Sequence, residues 1–375
     1  MTHLLVTNDF PPKIGGIQSY LFELWRHLPP EDFAVLTIAH AGAAEHDARA
    51  GFRIERLDVP LMLPTRRVRD AIVRLSREIG ASLVVLDPAL PLGLIGRRLP
   101  LPYALVLHGA EVTVPARLPL TRELLARVVA GARLVVAAGG YPAAEARRAA
   151  GRRMPATVVV PPGVDTERFH PLDPGERAAA RRRLGLPVEG RLVASVSRLV
   201  PRKGMDVLVE AAARLAPDRP DLCVAIAGTG RDAGRIARTA RRSSAPVRLL
   251  GRLGDEEVAL LDGACDVWAM LCRTRWLGLE QEGFGIVFLE AAAAGVALLA
   301  GRSGGAHEAV LDGVTGLVAD RPGDVVVAAD ALARLLDDAE LRARLGAAAR
   351  ARALEEHDYA QLAARLASAL EGAAG

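Results

Sequence analysis

Two carboxylates stand eight residues apart in the stretch Glu282-Gly283-Phe284-Gly285-Ile286-Val287-Phe288-Leu289-Glu290. A Gly-x-Gly turn follows the first, and the second lies inside an apolar run. Glycines at 283 and 285 let the backbone come close to a ligand. The apolar run predicts a helix from about Ile286, with Glu290 a turn further on. Free N–H groups at such a helix start, Ile286 included, suit an anion such as phosphate. The carboxylates would repel that anion and are better used as acceptors for sugar hydroxyls, with cations brought in from elsewhere. The plain alternative is a buried Ala-rich helix with one solvated glutamate.

Cations are available in two loops. Of the 48 basic residues 46 are Arg; the only lysines are Lys13 and Lys203, and the only asparagine is Asn8. Lys offers a compact charge on a flexible stem, where Arg is a rigid fork. Lys13 and Asn8 flank Gly15-Gly16, between a first strand and a helix from Ile17, so the Gly16 backbone is a candidate diphosphate contact at that helix start. Arg198 and Lys203 share the loop after a strand at Leu192–Ser197. A diphosphate gains charge as its bond to a sugar breaks, so two fixed cations there act mostly in the transition state. The alternatives are an ordinary strand-to-helix turn and a solvated basic turn. His108 ends the strand Tyr103–Leu107, where a histidine either serves a sugar hydroxyl or is structural.

These motifs come in an order that resembles a known family. Asn8-Asp9-Phe10-Pro11-Pro12, Gly15-Gly16-Ile17-Gln18-Ser19-Tyr20, Pro161-Pro162-Gly163-Val164-Asp165, Arg198-Leu199-Val200-Pro201-Arg202-Lys203-Gly204, Cys272-Arg273-Thr274-Arg275 and Glu-x7-Glu together look like the retaining glycosyltransferases of family four. Within it they resemble the GDP-mannose-dependent mannosyltransferases that act on phosphatidylinositol monomannoside in actinobacteria. The resemblance implies the GT-B fold: two Rossmann-like α/β domains facing across a cleft, with a last helix crossing back to the first. It implies that Arg198 and Lys203 hold the diphosphate and Glu290 the ribose hydroxyls. Glu282 and His108 would hold the mannose, with Glu282 easing charge at the anomeric carbon. Leu253, with Arg252, would lie along the base, and Asp9, Gln18 and Tyr20 would face the acceptor. Trp276–Gln281 departs from the family pattern.

The elements fit that frame. Strands are predicted at Leu4–Thr7, Phe33–Ile38, Arg53–Leu57, Leu83–Leu86, Tyr103–Leu107, Leu134–Ala138 and Thr157–Val160. A second series runs at Leu192–Ser197, Leu222–Ala227, Val247–Leu250, Asp266–Met270, Val296–Ala300 and Gly316–Val318. Helical patterns separate many of them, and such alternation indicates parallel sheets, whose ligands bind beyond the strands' carboxyl ends. The first helix should bury Ile17, Leu21, Leu24, Trp25 and Leu28. Residues 1–165 read as one domain and 166–357 as a second, with Phe169–Gly190 a linker around a basic helix. Residues 358–375 hold the returning helix, within about Asp358–Leu370.

Composition bounds the function. Three cysteines in 375 residues, Cys223, Cys265 and Cys272, show neither a disulfide framework nor metal-ligand spacing, which fits a reducing cytoplasm. No apolar run reaches the length of a membrane span, and the N-terminal run is too short for a signal peptide. With 4% aromatics and dispersed arginines, a nucleic-acid partner is not expected. No Asp-x-Asp occurs, so departure of the diphosphate is expected to need no metal or other cofactor. Residues 1–165 hold 20 basic and 15 acidic residues, whereas 166–375 hold 28 and 29. The basic half expects an acidic partner. Arg66, Arg67, Arg69, Arg74 and Arg77, on a helix from about Thr65, suggest peripheral contact with the cytoplasmic face of the plasma membrane. That helix would set Ala71, Ile72, Leu75 and Ile79 to one side, for burial or for the membrane.

Two rivals remain at this point. One is a family-four transferase with another nucleotide sugar or a soluble acceptor. The other is a nucleotide-sugar epimerase or NAD-binding protein on a similar scaffold. For the second, Gly228-Thr229-Gly230-Arg231-Asp232-Ala233-Gly234 is one residue too long for the dinucleotide fingerprint and lacks the acidic partner downstream.

Overall fold

Short runs of Val, Leu, Ile and Ala, too short for core helices and bounded by turn residues, form two parallel sheets. In this computed structural model residues 1–374 are described. The first sheet holds β1 (His3–Thr7), β2 (Phe33–Ile38), β3 (Arg53–Leu57), β4 (Leu83–Asp87), β5 (Tyr103–Leu107), β6 (Leu134–Ala137) and β7 (Ala156–Val159) in the order β3-β2-β1-β4-β5-β6-β7. The second holds β8 (Arg191–Val196), β9 (Leu222–Ala227), β10 (Val247–Gly251), β11 (Val267–Met270), β12 (Ala297–Gly301) and β13 (Gly316–Ala319) in the order β10-β9-β8-β11-β12-β13. Every predicted strand is present, with ends shifted by at most one residue.

Helices cover both faces of a parallel sheet, so its central strands carry continuous apolar runs rather than alternation. All residues of β1, β4, β5 and β9 are buried, whereas edge strands β3 and β10 are not. In each sheet the winding reverses once, between β1 and β4 in the first and between β8 and β11 in the second. The crossovers part there and leave a crevice at the strands' carboxyl ends. Register fixes what lies on it: Thr7 on β1 pairs with Asp87 on β4.

The chain divides into two compact units, Val164–Asp358 and Met1–Gly163, the latter joined by the chain from Tyr359. The last helix, Tyr359–Ala374, buries Tyr359, Leu362, Ala363, Leu366 and Leu370 and packs on the helix Gly16–Arg26 of the first unit. That earlier helix buries Leu21, Leu24 and Trp25 as its period requires, while Ile17 stays half-buried.

Phe169–Gly190 is not a linker. Its helix, Pro174–Arg183, begins in a capping box of Asp173 and Glu176. Phe169, Ala180 and Leu186 belong to the core of the second unit. Arg181 and Arg177 reach Asp266, before β11, at 2.9 and 2.7 Å. Its arginines look basic in sequence because their acid lies far along the chain.

The packing of the last helix is testable. Leu366→Ala removes a fully buried side chain and is expected to cost the first unit about 2–4 kcal/mol. Differential scanning calorimetry should show that unit's transition falling while the transition of Val164–Asp358 stays put.

Candidate active site

At the reversal of the first sheet, three polar side chains are locked together. Thr7 Oγ1 donates to Asp87 Oδ2 at 2.6 Å, and His108 Nε2 lies 3.0 Å from Asp87 Oδ1. Burial pulls the imidazole down, and the Asp87 carboxylate, helped by Glu111 and Asp9, outweighs it and raises its pKa. A cationic imidazole donates from both ring nitrogens. Beyond this contact of Nε2 with Asp87, the ring has no other hydrogen-bond partner among the described residues.

Asp9, Lys13 and Gln18 form a second cluster in this unit. Lys13 Nζ and Gln18 Nε2 both donate to Asp9 Oδ1, at 2.6 and 2.5 Å. Lys13 is therefore an exposed partner of Asp9 rather than a free phosphate cation. Asn8 is structural as well: its side-chain amide bonds both backbone groups of Met62, at 2.7 and 3.4 Å. Tyr20, expected to face the acceptor, is buried instead. Its hydroxyl donates to the Val160 carbonyl at 2.8 Å and its ring stands edge-on to His108. Gly16 is exposed at the first position of its helix.

The second unit centres on Glu282. Three donors converge on one of its oxygens, Oε2: Lys203 Nζ at 2.7 Å, the Arg202 guanidinium, and the Cys272 thiol at 3.4 Å. None among the described residues reaches Oε1. Burial pushes this carboxyl up, but Lys203 and then Arg202 outweigh it and hold the pKa down at about 2. The Cys272 thiol, buried beside that charge, is pushed up and stays protonated. The Glu282 backbone is pinned to the turn after β12: its N–H donates to Ser303 Oγ at 3.3 Å and its carbonyl accepts from Gly305 N–H at 3.0 Å.

Lys203 can meet Glu282 because its loop is pressed against neighbouring backbone. Gly204 has φ +70°, and a Cβ there would lie 1.9 Å from the Leu271 carbonyl oxygen. A Cβ on Gly228 would lie 1.8 Å from the Ser197 carbonyl oxygen. The Leu199 N–H donates to the Thr229 carbonyl and its carbonyl accepts from Asp232 N–H. The glycine-rich turn after β9 is thus used to brace the cation loop, and nothing in it points to a dinucleotide. Behind it Asp206 takes Arg273 at 2.8 Å and Arg235 at 3.0 Å.

The remaining expected residues are placed as follows. Arg198 is exposed, with no ion-pair partner among the described residues. Ile286 opens the helix Ile286–Ala293 behind Gly285, which has φ +92°. Glu290 lies on this helix, half-buried and without a side-chain partner among the described residues. Burial pushes its pKa up to about 7; Arg168 opposes and Asp255 adds. Leu253 is half-buried and Arg252 exposed. Trp276 and Leu277 are exposed, both at positive φ. The structure therefore joins Lys203 to Glu282, and Asp9 to Gln18, but gives Arg198 and Glu290 no partner. Sequence reasoning gave no role to Arg202, Cys272 or Asp87. Adjacency to Lys203 was the available signal for the first, and a polar residue closing an apolar strand for the last.

Comparisons with known proteins agree with this architecture. A family model described as Glycosyltransferase Family 4 matches residues 14–168, and one described as Glycosyl transferases group 1 matches residues 176–352. The chain is 40% identical to the GDP-mannose-dependent alpha-(1-6)-phosphatidylinositol monomannoside mannosyltransferase of Mycolicibacterium smegmatis, with 98% of each chain covered. It is 37% identical to the GDP-mannose-dependent monoacylated alpha-(1-6)-phosphatidylinositol monomannoside mannosyltransferase of Corynebacterium glutamicum, over 98% of this chain and 97% of the other. Among solved structures it is similar to Anabaena Alr3699/HepE in complex with UDP, with TM-score 0.85 and 22% identity over 99% of this chain and 100% of that one. That likeness shows the GT-B fold.

Glu290 gives a prediction with a sign. A carboxyl whose pKa is raised in the folded state costs stability as pH climbs from the ordinary 4.5 through about 7. Without ligand, Glu290→Gln should match wild type near pH 4.5 and melt higher at pH 8, by about 2–4 °C for each kcal/mol relieved. Melting curves across pH check this; a Gln variant less stable at pH 8 would mean the carboxylate is satisfied.

Proposed function

The chain belongs to the family-4 glycosyltransferases, and on that premise we propose that it moves mannose from GDP-mannose to a phosphatidylinositol mannoside, with retention and an α-1,6 linkage. The observation that carries this reading is similarity over nearly the whole chain to two proteins named for that reaction, at 40% and 37% identity. The second unit would take the donor. The bond from the anomeric carbon to the diphosphate breaks, and its electron pair stays on the phosphate oxygen. Lys203 and the unpaired Arg198 meet that charge. The acceptor hydroxyl forms the new bond to the anomeric carbon and passes its proton to the departing diphosphate. Glu282 offers Oε1 to the mannose, Glu290 accepts from the ribose hydroxyls, and the backbone at Ile286 and Leu253 lines the nucleotide. In the first unit His108 serves a sugar hydroxyl, Gly16 the diphosphate, and Asp9 with Gln18 the acceptor. No step calls for a metal.

Product analysis with GDP-mannose and a phosphatidylinositol mannoside tests the reading directly. Transfer should persist in excess EDTA. Lys203→Ala should lower kcat by about 10²–10³ with a smaller rise in donor KM. Lys203→Arg should also be impaired, because a rigid fork replaces a point charge in a tight loop. Loss of activity in EDTA with recovery in magnesium would overturn the metal-free reading.

The acceptor class also bears on location, and we infer peripheral contact between the first unit and an anionic membrane at the cytoplasmic face. Among the described residues no helix is long and apolar enough to cross a membrane. The helix Arg66–Glu78 buries Val68, Ile72 and Leu75 in its own core, so its apolar side is not the contact. Arg66, Arg67 and Arg77 are exposed, while Arg74 pairs with Glu55 and Glu78. A surface depression collects Arg69, Arg77, Arg97 and Arg98 around one carboxylate, Asp70. Leu61 and Leu63, just before the helix, are exposed. Each arginine near an anionic bilayer contributes about 1 kcal/mol. Co-sedimentation with phosphatidylinositol vesicles should weaken about 10²-fold or more in Arg66→Glu/Arg67→Glu/Arg69→Glu, and in wild type as salt rises. Equal binding by both proteins would remove this surface from the mechanism.

A further inference from the structure

Glu282 has more positive charge than one carboxylate needs. Lys203 and Arg202 both address Oε2, the Cys272 thiol joins them, and Oε1 is left over. If the donor's diphosphate takes Lys203, as the proposed function requires, Glu282 loses a counter-ion in a buried setting. An unpaired buried carboxylate is costly, and its ordinary escape is to take up a proton. A protonated Glu282 would no longer present a charged acceptor to the sugar.

Arg202 prevents that. It adjoins Lys203 in the same loop, and its own carbonyl is fixed by the Arg273 N–H at 2.8 Å. Its guanidinium has no other ion-pair partner among the described residues. The nearby Glu280 is already taken by Arg275 at 2.6 Å and Arg231 at 3.3 Å. Titratable and charged groups facing Glu282 are Lys203, Arg202 and Cys272. Cys272 keeps its proton and supplies no charge.

We propose that Arg202 is the standing counter-ion of Glu282, a positioning residue that keeps the carboxylate charged and clamped through Oε2 while Lys203 is lent to the donor's diphosphate. The role rests on the donor reading above, and it divides the two adjacent cations: Lys203 moves between partners and Arg202 does not.

The experiment uses the full chain as wild type, Arg202→Met, Arg202→Lys, Glu282→Gln and Arg202→Met/Glu282→Gln. Without ligand, melting temperatures are read from pH 4.5 to 8. In Arg202→Met the Glu282 pKa rises, so its melting temperature should lie furthest below wild type at pH 8, where the carboxylate is charged, and close on wild type toward acid. Arg202→Lys should restore most of the difference, and in the Glu282→Gln background the pH-dependent part should vanish. A loss equal at every pH would reduce Arg202 to packing and overturn the proposal. GDP is then titrated at pH 5 and pH 8. In Arg202→Met an ionised Glu282 competes for Lys203, so GDP affinity should drop most at pH 8, by about tenfold or more, and recover toward pH 5. A drop of the same size at both pH values would show Arg202 binding the diphosphate itself, which also overturns it. With GDP-mannose turnover, the ratio of kcat for Arg202→Met to that for wild type should fall about tenfold from pH 8 to 5.5. If wild type turned over no GDP-mannose, the mannosyl-transfer reading would fail, while the unliganded melts would still decide the counter-ion role.

Discussion

A carboxylate taken out of water must be neutralised, and the second unit is arranged around doing that for Glu282. The cost of the bare charge is several kcal/mol, so its partners cannot be loosely held. Both cations come from one short loop after β8. That loop holds its shape because backbone presses on backbone at Gly204 and Gly228, where a side chain would collide. Thr229 and Asp232 then bond it to the turn after β9, and Ser303 with Gly305 fix the glutamate from the other side. Four loops at the carboxyl ends of β8, β9, β11 and β12 thus answer to one buried charge.

The first unit solves a similar problem in another way. Asp87 is buried and its neutralising group is an imidazole, with the Thr7 hydroxyl on the second oxygen. The aspartate raises the pKa of its histidine, whereas the cations beside Glu282 lower the pKa of that carboxyl. Each arrangement sits where its sheet reverses direction, which is the place that parallel topology leaves open.

Much of this was legible in the residues. Strand runs and the helix start at Ile286 followed from apolar length and glycine punctuation. The rarity of lysine singled out Lys203, which does occupy a buried ion pair. The same count misjudged Lys13 and Asn8, because a rare residue can equally serve a turn: one pairs with Asp9, and the other ties its loop to Met62. Tyr20 shows the general difficulty, since a helical period says which face is buried but not that a hydroxyl on it is spent on Val160. Arg202 was hidden among 46 arginines, and Arg177 and Arg181 passed for a solvated stretch because Asp266 lies far along the chain. Long-range pairing of charges is decided by topology, which composition does not report.

The helix Tyr359–Ala374 completes the unit that begins at Met1, so that unit is discontinuous in the chain. On the ribosome the order of completion is inverted. Val164–Asp358 has all of its strands and helices available before the first unit has its last helix. Until then the helix Gly16–Arg26 lacks the cover that Leu362, Leu366 and Leu370 supply. A nascent or truncated chain would show that apolar surface to chaperones and to other copies of itself. The basic half of the molecule is consequently begun first and receives its last helix only after every element of the other half has been synthesised.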